Sequence, residues 1–443
     1  MSSAVQRDYD VIIVGGRVAG STLAAFLAKQ NMRVLLLERA IFPAEHPASS
    51  PVIQPVTLSM LDEIGADENA YARNTPKIHR FAVVDPDLNF DLPVPEVNGR
   101  NYAYAIDRAR FDHALWENAL SYETVDGLMG FSVANLLWDD LGKTVIGIAG
   151  KNMQTGESQQ FTSKLVIGAD GRFSLVARKV EAKAWDKHED NPTSIYYAYW
   201  KDANAPGLDD AVAVYPLETT DYGMGVFPSA DNTFAVGIEG RSDVLAPEPG
   251  KTEAFYLEKL QGNPLLWERL QNAERVTPVR GMKKIGNMFR TPGGLGWALV
   301  GDAYHQKDPI DGQGIFDAVF TAKTLAEAVA DWHTGQRTWD DAVQWYDDTV
   351  RATAVPQYNS TIARVQAQMY PAINLPIPKR LLSKPLKWLA NDPQYCERAG
   401  LALNRQVEPN APAEPRFIAI AMLRGSLREL SDKLGEYERP EAV

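Results

Sequence analysis

Three short apolar runs along the chain each end on glycine. Val11-Ile12-Ile13-Val14 precedes Gly15-Gly16, Leu165-Val166-Ile167 precedes Gly168, and Trp297 to Val300 precedes Gly301. Runs this short, apolar at every position and closed by a turn residue, predict strands buried on both faces of a parallel sheet. After the first run, Ser21 to Gln30 switches to helical periodicity with Leu23, Phe26 and Leu27 on one face, and Val34 to Leu37 is another buried strand. Strand, helix and strand within about 30 residues make a βαβ unit. A second helix is predicted from Gly314 or Ile315 through Phe316, Val319, Phe320 and Leu325.

Between residues 193 and 245 the pattern changes. SIYYAYW, AVAVYPL, YGMGVFP and TFAVGIEG are β-type runs separated by Gly, Pro and Asp, which predicts a separate antiparallel sheet. Strand alternation puts Tyr197 and Tyr199 on one of its faces and Tyr196 and Ala198 on the other. Residues 251–272 read as one helix with Phe255, Leu257 and Leu260 apolar. Residues 76–100 look like an extended insertion rich in Pro and Asp. Residues 331–443 read as mostly helical, with breaks at Pro356, Pro371, Pro376, Pro378, Pro385 and Pro393 and a last helix from about Phe417 to Tyr437.

Composition narrows the function. The 443 residues carry 45 basic and 57 acidic side chains, a net charge of −12, which is not the electrostatic footprint of a nucleic-acid binder. Cys396 is the one cysteine, so disulfide frameworks, Cys-rich zinc sites and iron–sulfur clusters are excluded. The six histidines form no HExxH, which argues against a protein-held metal. No apolar run approaches the length of a membrane span, and MSSAVQRDYD carries no signal core, so a cytoplasmic protein is expected. The stretch PKRLLSKPLKWLA, residues 378–390, sets Lys379, Arg380, Lys384 and Lys387 among Leu and Trp. It reads as a solvated helix with a core stripe in preference to a membrane-touching or partner-touching one.

The glycine turns carry the candidate chemistry. Gly15-Gly16-Arg17-Val18-Ala19-Gly20 follows a strand and opens a helix, and Glu38 follows Gly15 by 23 residues at the end of the next strand. Such a turn lets a pyrophosphate approach the backbone at a helix N-terminus, while the carboxylate accepts from a ribose. Arg17 stands where a glycine is usual. As a cation it would cap the phosphates, or it points to solvent; both readings stand. Asp170, in KLVIGADGRFSLVAR (164–178), and Asp302, in LGWALVGDAYHQKDPIDGQGIFDA (295–318), each sit at a strand end. Pro309, Gly312 and Gly314 allow close backbone approach before the second helix.

Together the three segments resemble the FAD-dependent monooxygenases of the aromatic-hydroxylase type, the class A flavoproteins. These carry a dinucleotide fingerprint, then a DG motif, then a GD motif with a Pro/Gly-rich helix start. The chain is most similar to the subset with a GxRxxGS turn, GADGRxSLVAR and GWALVGDA–H–KDP–QGI, in which Arg17 is the normal residue, and the likeness covers about residues 8–330. It implies an α/β fold: a Rossmann-like FAD-binding domain interleaved with an antiparallel-sheet substrate domain and a C-terminal helical region. The expected boundaries are 1–75, 101–185 and 280–330 for the discontinuous FAD-binding domain, 76–100 and 186–279 for the substrate domain, and 331–443 for the helical region.

The resemblance also implies roles. FAD would lie against Gly15, Gly16, Arg17, Val18, Ala19 and Gly20, with Glu38 and Arg39 at the adenosine end. Asp170 would face the ribityl chain or a pyridine nucleotide, and Asp302 a ribitol hydroxyl. Pro309, Gly312 and Gly314 would seat the N1–C2=O edge of the isoalloxazine. In YAIDRARFDHALWENA (104–119), Arg108 would reach the pyrophosphate or ribityl, or is a surface residue at a helix start; Val133 would meet the adenine. Ser174 to Arg178 holds one residue more than the commoner DGxxSxVR, so an NAD(P)H-handling role is not carried to Arg178.

The implied activity is hydroxylation or epoxidation of an aromatic or polyketide-like small molecule through a flavin C4a-hydroperoxide. The alternatives are a C=C reductase of the geranylgeranyl-reductase type, a halogenase, or a cyclase with structural FAD. No Trp-x-Trp-x-Ile-Pro signature is present, which ranks the halogenase lower. Only one fingerprint exists, since Gly293 to Gly296 precedes a strand, so NAD(P)H would visit transiently or a separate reductase would supply electrons; a homodimer is the other partner reading. Pocket candidates are His305, Tyr197, Tyr199 and Phe227, with Trp200, Tyr215 and Tyr222 as further aromatics, any of which could be plain sheet core. His305 would orient substrate or hold a proton, or is structural, and Asp308 and Asp311 are solvated or bonded to backbone. No catalytic base is assigned, and no stable membrane association is expected.

Overall fold

The uninterrupted apolar runs become the central strands of a parallel sheet, as their lack of a polar face requires. The computed structural model describes residues 9–45, 51–85, 89–215, 221–371 and 379–437, with the backbone alone for 379–383 and 432–437. The chain forms two compact units. One comprises Met1–Thr75, Ile106–Pro192 and Lys284–Ile362, the other Pro76–Ala105, Thr193–Lys283 and Ala363–Val443.

In the first unit, strand β1 (Tyr9–Val14), helix α1 (Val18–Ala28) and strand β2 (Val34–Glu38) form the βαβ unit. Helix α2 (Arg108–Leu120), strands β3 (Val125–Met129), β4 (Ser158–Gly168) and β5 (Trp297–Leu299), and helix α3 (Gly314–His333) complete the framework. The parallel order is β5-β4-β1-β2-β3, with Val11 opposite both Val34 and Leu165 and Ile167 opposite Ala298. Val11, Ile12, Ile13, Leu36 and Ile167 are wholly buried. Because β1 has β2 on one side and β4 on the other, the chain leaves it at a topological switch point, where a crevice opens beyond the strand ends. Helix α3 packs on α1. The N-terminal half of β4 also pairs antiparallel with Val145–Asn152, which pairs in turn with Phe131–Trp138.

The second unit carries the predicted sheet. Thr193 to Lys201 pairs antiparallel with Thr233–Arg241, then Tyr222–Pro228, then Ala211–Tyr215. One pairing departs from the antiparallel expectation: Arg80–Val83 lies parallel to Ala211 to Val214. The two strands are far apart in sequence, so no hairpin dictates their direction. The residues read as an extended insertion thus form sheet edge, Phe90–Pro93 pairing on the outside of Arg80–Val83.

The predicted helix over 251–272 is two helices, Thr252–Gln261 and Pro264–Leu270. Gly262 closes the first and Asn263 caps the second, its Oδ1 accepting from the Leu266 N–H at 3.0 Å, with Pro264 at the first helical position. Two predicted breaks do not occur. Pro356 lies inside the helix Trp339–Met369 and Pro385 inside Lys379–Ala390. A proline removes one N–H from a helix, and these helices have enough remaining bonds to continue past it. Pro393 does start a helix, Pro393–Leu403, and the last helix is Pro415–Tyr437. Pro376 and Pro378, and the side chains of Lys379 and Arg380, lie outside the described residues. Lys384 is exposed and pairs with Glu429 at 2.7 Å. Among the described residues no helix is long and apolar enough to cross a membrane, and no cluster of His, Cys, Asp and Glu could hold a metal ion.

Candidate functional site

The loops after β1, β4 and β5 come together at the C-terminal edge of the parallel sheet. The Ala169 N–H donates to the Val14 carbonyl at 2.8 Å, and the Val300 N–H to the Gly168 carbonyl at 3.0 Å. Gly15 has φ +107°, and a Cβ there would stand 2.4 Å from the Ala169 oxygen. A Cβ on Gly20 would stand 1.8 Å from the Gly15 oxygen, so the last glycine of the turn is required by the turn itself. Helix α1 starts at once with Val18, Ala19 and Gly20, whose N–H groups have no acceptor within the helix. Glu38 closes the turn from β2. Its Oε2 accepts from the Gly16 N–H and its Oε1 from the Ala40 N–H, both at 2.8 Å, leaving a second lone pair on each oxygen. Arg39 is exposed. Val133 lies in the antiparallel ribbon, opposite Gly150, part-buried against the core.

Arg17 neither stands free in solvent nor acts alone. Its Nη1 donates to Asp112 Oδ2 at 2.6 Å, its Nη2 to the Glu45 carbonyl at 3.1 Å, and its guanidinium lies over the Phe42 ring. Arg108, at the start of α2, grips the same carboxylate, with Nη2 at 2.9 Å from Oδ1 and 3.1 Å from Oδ2. Asp112 is completely buried. The sequence reading missed it, although Arg108 and Asp112 stand at i and i+4 on a predicted helix, a spacing that pairs charges.

Asp170 serves the chain itself. Its Oδ2 accepts from the Leu175 and Val176 N–H groups at 2.6 and 3.1 Å, and its Oδ1 from Ser174 Oγ at 2.5 Å. It thereby ties down the first turn of the short helix Leu175–Lys179, whose N-cap is Ser174. Burial pushes its pKa up, and those three donors pull it down. Arg172 and Arg290 brace this loop against the one after β5. Arg172 Nη2 donates to the Lys307 carbonyl at 3.0 Å; Arg290 Nη1 donates to the Ala303 carbonyl at 2.8 Å and Nη2 to the Arg172 carbonyl at 3.1 Å.

Asp302 is the exposed acid of the cluster. Its side chain is 44% exposed, with Arg172 Nε 3.8 Å from Oδ2. Surrounding protein nevertheless raises its pKa, with Arg172, Arg108 and Lys307 opposing the rise. An acid hemmed in by protein yet open to solvent lies on the floor of a depression. Gly301 and Gly312 adopt φ +58° and +62°, and around Gly314, the first residue of α3, a Cβ would meet nothing within 4 Å. Pro309 begins a single 3₁₀ turn ending at Asp311.

His305 is buried and stacked on Phe289, ring centroids 4.1 Å apart, with Nε2 3.8 Å from Asp317 Oδ2. That stacking favours the structural reading. Asp317 is itself paired with Lys307, Nζ to Oδ2 at 2.6 Å, a buried ion pair that the sequence reading also missed. Asp308 Oδ1 accepts from the Ile310 N–H at 3.1 Å, and Asp311 Oδ2 from Gln357 Nε2 at 2.8 Å and from the Thr361 hydroxyl.

In the second unit, alternation sorts the aromatic candidates. Trp200 and Tyr215 are core beneath the helices Thr252–Gln261 and Pro264–Leu270, Trp200 donating to the Tyr256 hydroxyl at 3.2 Å. Tyr197 and Tyr199 are part-exposed on the opposite face, their rings edge to face at 6.2 Å. Tyr199 and Phe227 both lie opposite Ala235, and Tyr197 and Gly225 opposite Gly237, so the three rings share this face. Ala235 and Gly225 between them are buried, so the rings make up the apolar surface of this face, and Phe227 also packs against the buried cluster of Ile78, Val94 and Val212.

Comparison with known proteins shows one family and relatives of three different activities. The family described as "FAD binding domain" matches residues 8–355. A 1H-pyrrole-2-carbonyl-[peptidyl-carrier protein] chlorinase of Pseudomonas fluorescens is 26% identical over 71% of this chain and 74% of its own. Squalene monooxygenase of Mus musculus is 25% identical over 75% of this chain and 56% of its own. Digeranylgeranylglycerophospholipid reductase 2 of Methanococcoides burtonii is 28% identical over 80% of this chain and 82% of its own.

Proposed function

This chain belongs to the FAD-binding-domain family of FAD-dependent oxidoreductases, and from that premise we propose that it is a monooxygenase acting on an aromatic or polyketide-like small molecule. The observation that carries the reading is the apolar floor of Tyr197, Tyr199 and Phe227, a surface suited to a flat, weakly polar substrate. The fit of the first unit to FAD rests on its own atoms. The first turn of α1 offers N–H groups at the positive end of the helix dipole, Glu38 keeps lone pairs for hydroxyls, Asp302 is open at the floor of its depression, and Gly314 leaves room for a ring to approach the backbone.

Bound FAD supplies two-electron redox chemistry and the activation of dioxygen. The chain's part is to hold and exclude. Arg17, Arg108 and the α1 N-terminus bind phosphate charge; Glu38 orients the adenosine ribose; Asp302 accepts from a ribityl hydroxyl. The N-terminus of α3 would hold the polar edge of the ring system, where the helix dipole favours negative charge. Tyr197, Tyr199 and Phe227 orient the substrate and keep water from it. With a single fingerprint in the chain, NAD(P)H is read as a transient reductant.

Relatives supply two further readings, C=C reduction and halogenation. One experiment separates the three. Purified FAD-loaded protein is given NAD(P)H and an aromatic and polyprenyl substrate panel, with and without labelled dioxygen and halide. The monooxygenase reading expects oxygen uptake and one labelled oxygen atom in the product. Turnover without oxygen that adds two hydrogens overturns it in favour of reduction, and product formed only with chloride or bromide overturns it in favour of halogenation.

A further inference from the structure

We propose that Asp112 is a positioning residue whose carboxylate holds the Arg17 and Arg108 guanidiniums together as one cationic clamp for the diphosphate of the bound dinucleotide. The inference rests on the FAD reading of the first unit.

Three observations carry it. First, the geometry is that of a shared counter-ion: the Asp112 carboxylate, closed to solvent, accepts from Arg108 Nε and Nη2 on Oδ1 at 3.1 and 2.9 Å and from Arg17 Nη1 on Oδ2 at 2.6 Å. Two guanidiniums on one carboxylate carry a net charge of +1. Second, Arg17 is the N-cap residue of α1 and makes no side-chain capping bond there, and the first turn holds no acidic residue. Arginine has no acceptor to offer an N-terminus, and a cation is unfavourable at the positive end of a helix dipole. The chain therefore gathers a cation and orphan N–H groups at one spot, an arrangement that an anion with several oxygens completes. Third, the clamp joins two elements of the site: Arg17 stands in the fingerprint turn and Arg108 opens α2.

Without Asp112 both long side chains would lose their common anchor, and each would have to be ordered by the ligand at an entropic cost. Asp112 touches no phosphate itself; it acts through the arginines.

The test uses the full-length apoprotein, with FAD and riboflavin titrated by flavin fluorescence and the fold checked by circular dichroism. Riboflavin carries the same ring and ribityl chain without phosphate. The expected result is that Asp112→Asn weakens FAD binding at least about tenfold, or about 1.4 kcal/mol. Riboflavin binding should change less than about twofold, and Asp112→Glu should recover part of the FAD loss. Arg17→Met, which leaves the Arg108–Asp112 pair intact, should show the same selective loss, and the double variant should fall short of the sum of the singles. An equal loss for both ligands in Asp112→Asn overturns the proposal and makes Asp112 a structural tie between α1 and α2. If Asp112→Asn does not fold, an equal loss in Arg17→Met overturns it instead. Wild-type protein that binds neither ligand overturns the FAD reading itself.

Discussion

Lys307 Nζ lies 2.6 Å from Asp317 Oδ2, with 4% and 8% of the two side chains exposed. A full ion pair is thus buried where the loop after β5 meets the first turn of α3. Removing Lys307 takes away the cation nearest to Asp317 in a place water hardly reaches, with His305 Nε2 at 3.8 Å. Lys307→Met should lower the stability of the apoprotein by about 3–5 kcal/mol. Lys307→Met combined with Asp317→Leu should recover most of that, because no lone charge remains. Urea unfolding of the wild type and the two variants measures both; a double variant as unstable as the single would show that packing, not charge, dominates there.

Two glycines near the cofactor site should behave in opposite ways. A Cβ on Gly20 would run into the Gly15 carbonyl, which is backbone and cannot step aside, whereas a Cβ on Gly314 meets only open space. Gly20→Ala should therefore lose both stability and flavin. Gly314→Ala should leave the apoprotein as stable as before, or up to about 1 kcal/mol more stable through helix propensity, while weakening FAD by about tenfold, 1.4 kcal/mol. Thermal melts and FAD titration of each variant decide. Gly314→Ala with unaltered FAD affinity would place the ring system elsewhere.

How much of this was legible in the sequence depended on how local the physics is. Strands β1, β4 and β5 were readable because burial on both faces forces every position apolar. Alternation separated Tyr196 and Ala198 from Tyr197 and Tyr199 in the second sheet, but it did not say which face is core, and Trp200 and Tyr215, read as pocket aromatics, lie in the core. Asp112 was not found because half of its meaning is the contact with Arg17, 95 residues away. Lys307 and Asp317 are only 10 residues apart, yet they stand on a loop and a helix, so no single periodicity relates them. Pro356 and Pro385 read as breaks because the local rule was applied where tertiary packing prevails. The parallel pairing of Arg80–Val83 with Ala211 to Val214 has no local signal at all.

Asp302 gives a pH signature. The protein around its part-exposed carboxyl raises the pKa above the ordinary carboxylate value against the pull of Arg172. A carboxyl whose pKa is raised on folding binds more protons folded than unfolded, so stability falls as pH rises from the ordinary value through the raised one. Above that window the destabilisation is fully present; below the ordinary value it is gone. Asp302→Asn removes the ionisation. The apo variant should be more stable than the wild type at neutral pH, with the difference vanishing as the pH drops below the ordinary value, and it should bind FAD about tenfold more weakly. Melting curves of both apoproteins across pH test the first expectation. A difference that grows at low pH would reverse the assigned sign.

The two faces of the second sheet predict a separation of stability from substrate handling. Trp200 is buried and bonded to Tyr256, so Trp200→Ala should lower stability by about 3–5 kcal/mol. Tyr199, one residue earlier in the same strand, points to the other face and remains part-exposed beside Tyr197. Tyr199→Ala should unfold at nearly the wild-type denaturant midpoint yet raise KM for the best substrate of the panel several-fold, since it removes an aromatic contact worth about 0.5–1.5 kcal/mol. Phe227 lies across Ala235 from Tyr199 but also packs against the buried cluster of Ile78, Val94 and Val212, so Phe227→Ala should raise KM and lower stability together. If both variants keep the wild-type KM for every substrate turned over, the aromatic floor is not where the substrate lies, and the activity must be sought against another surface of the protein.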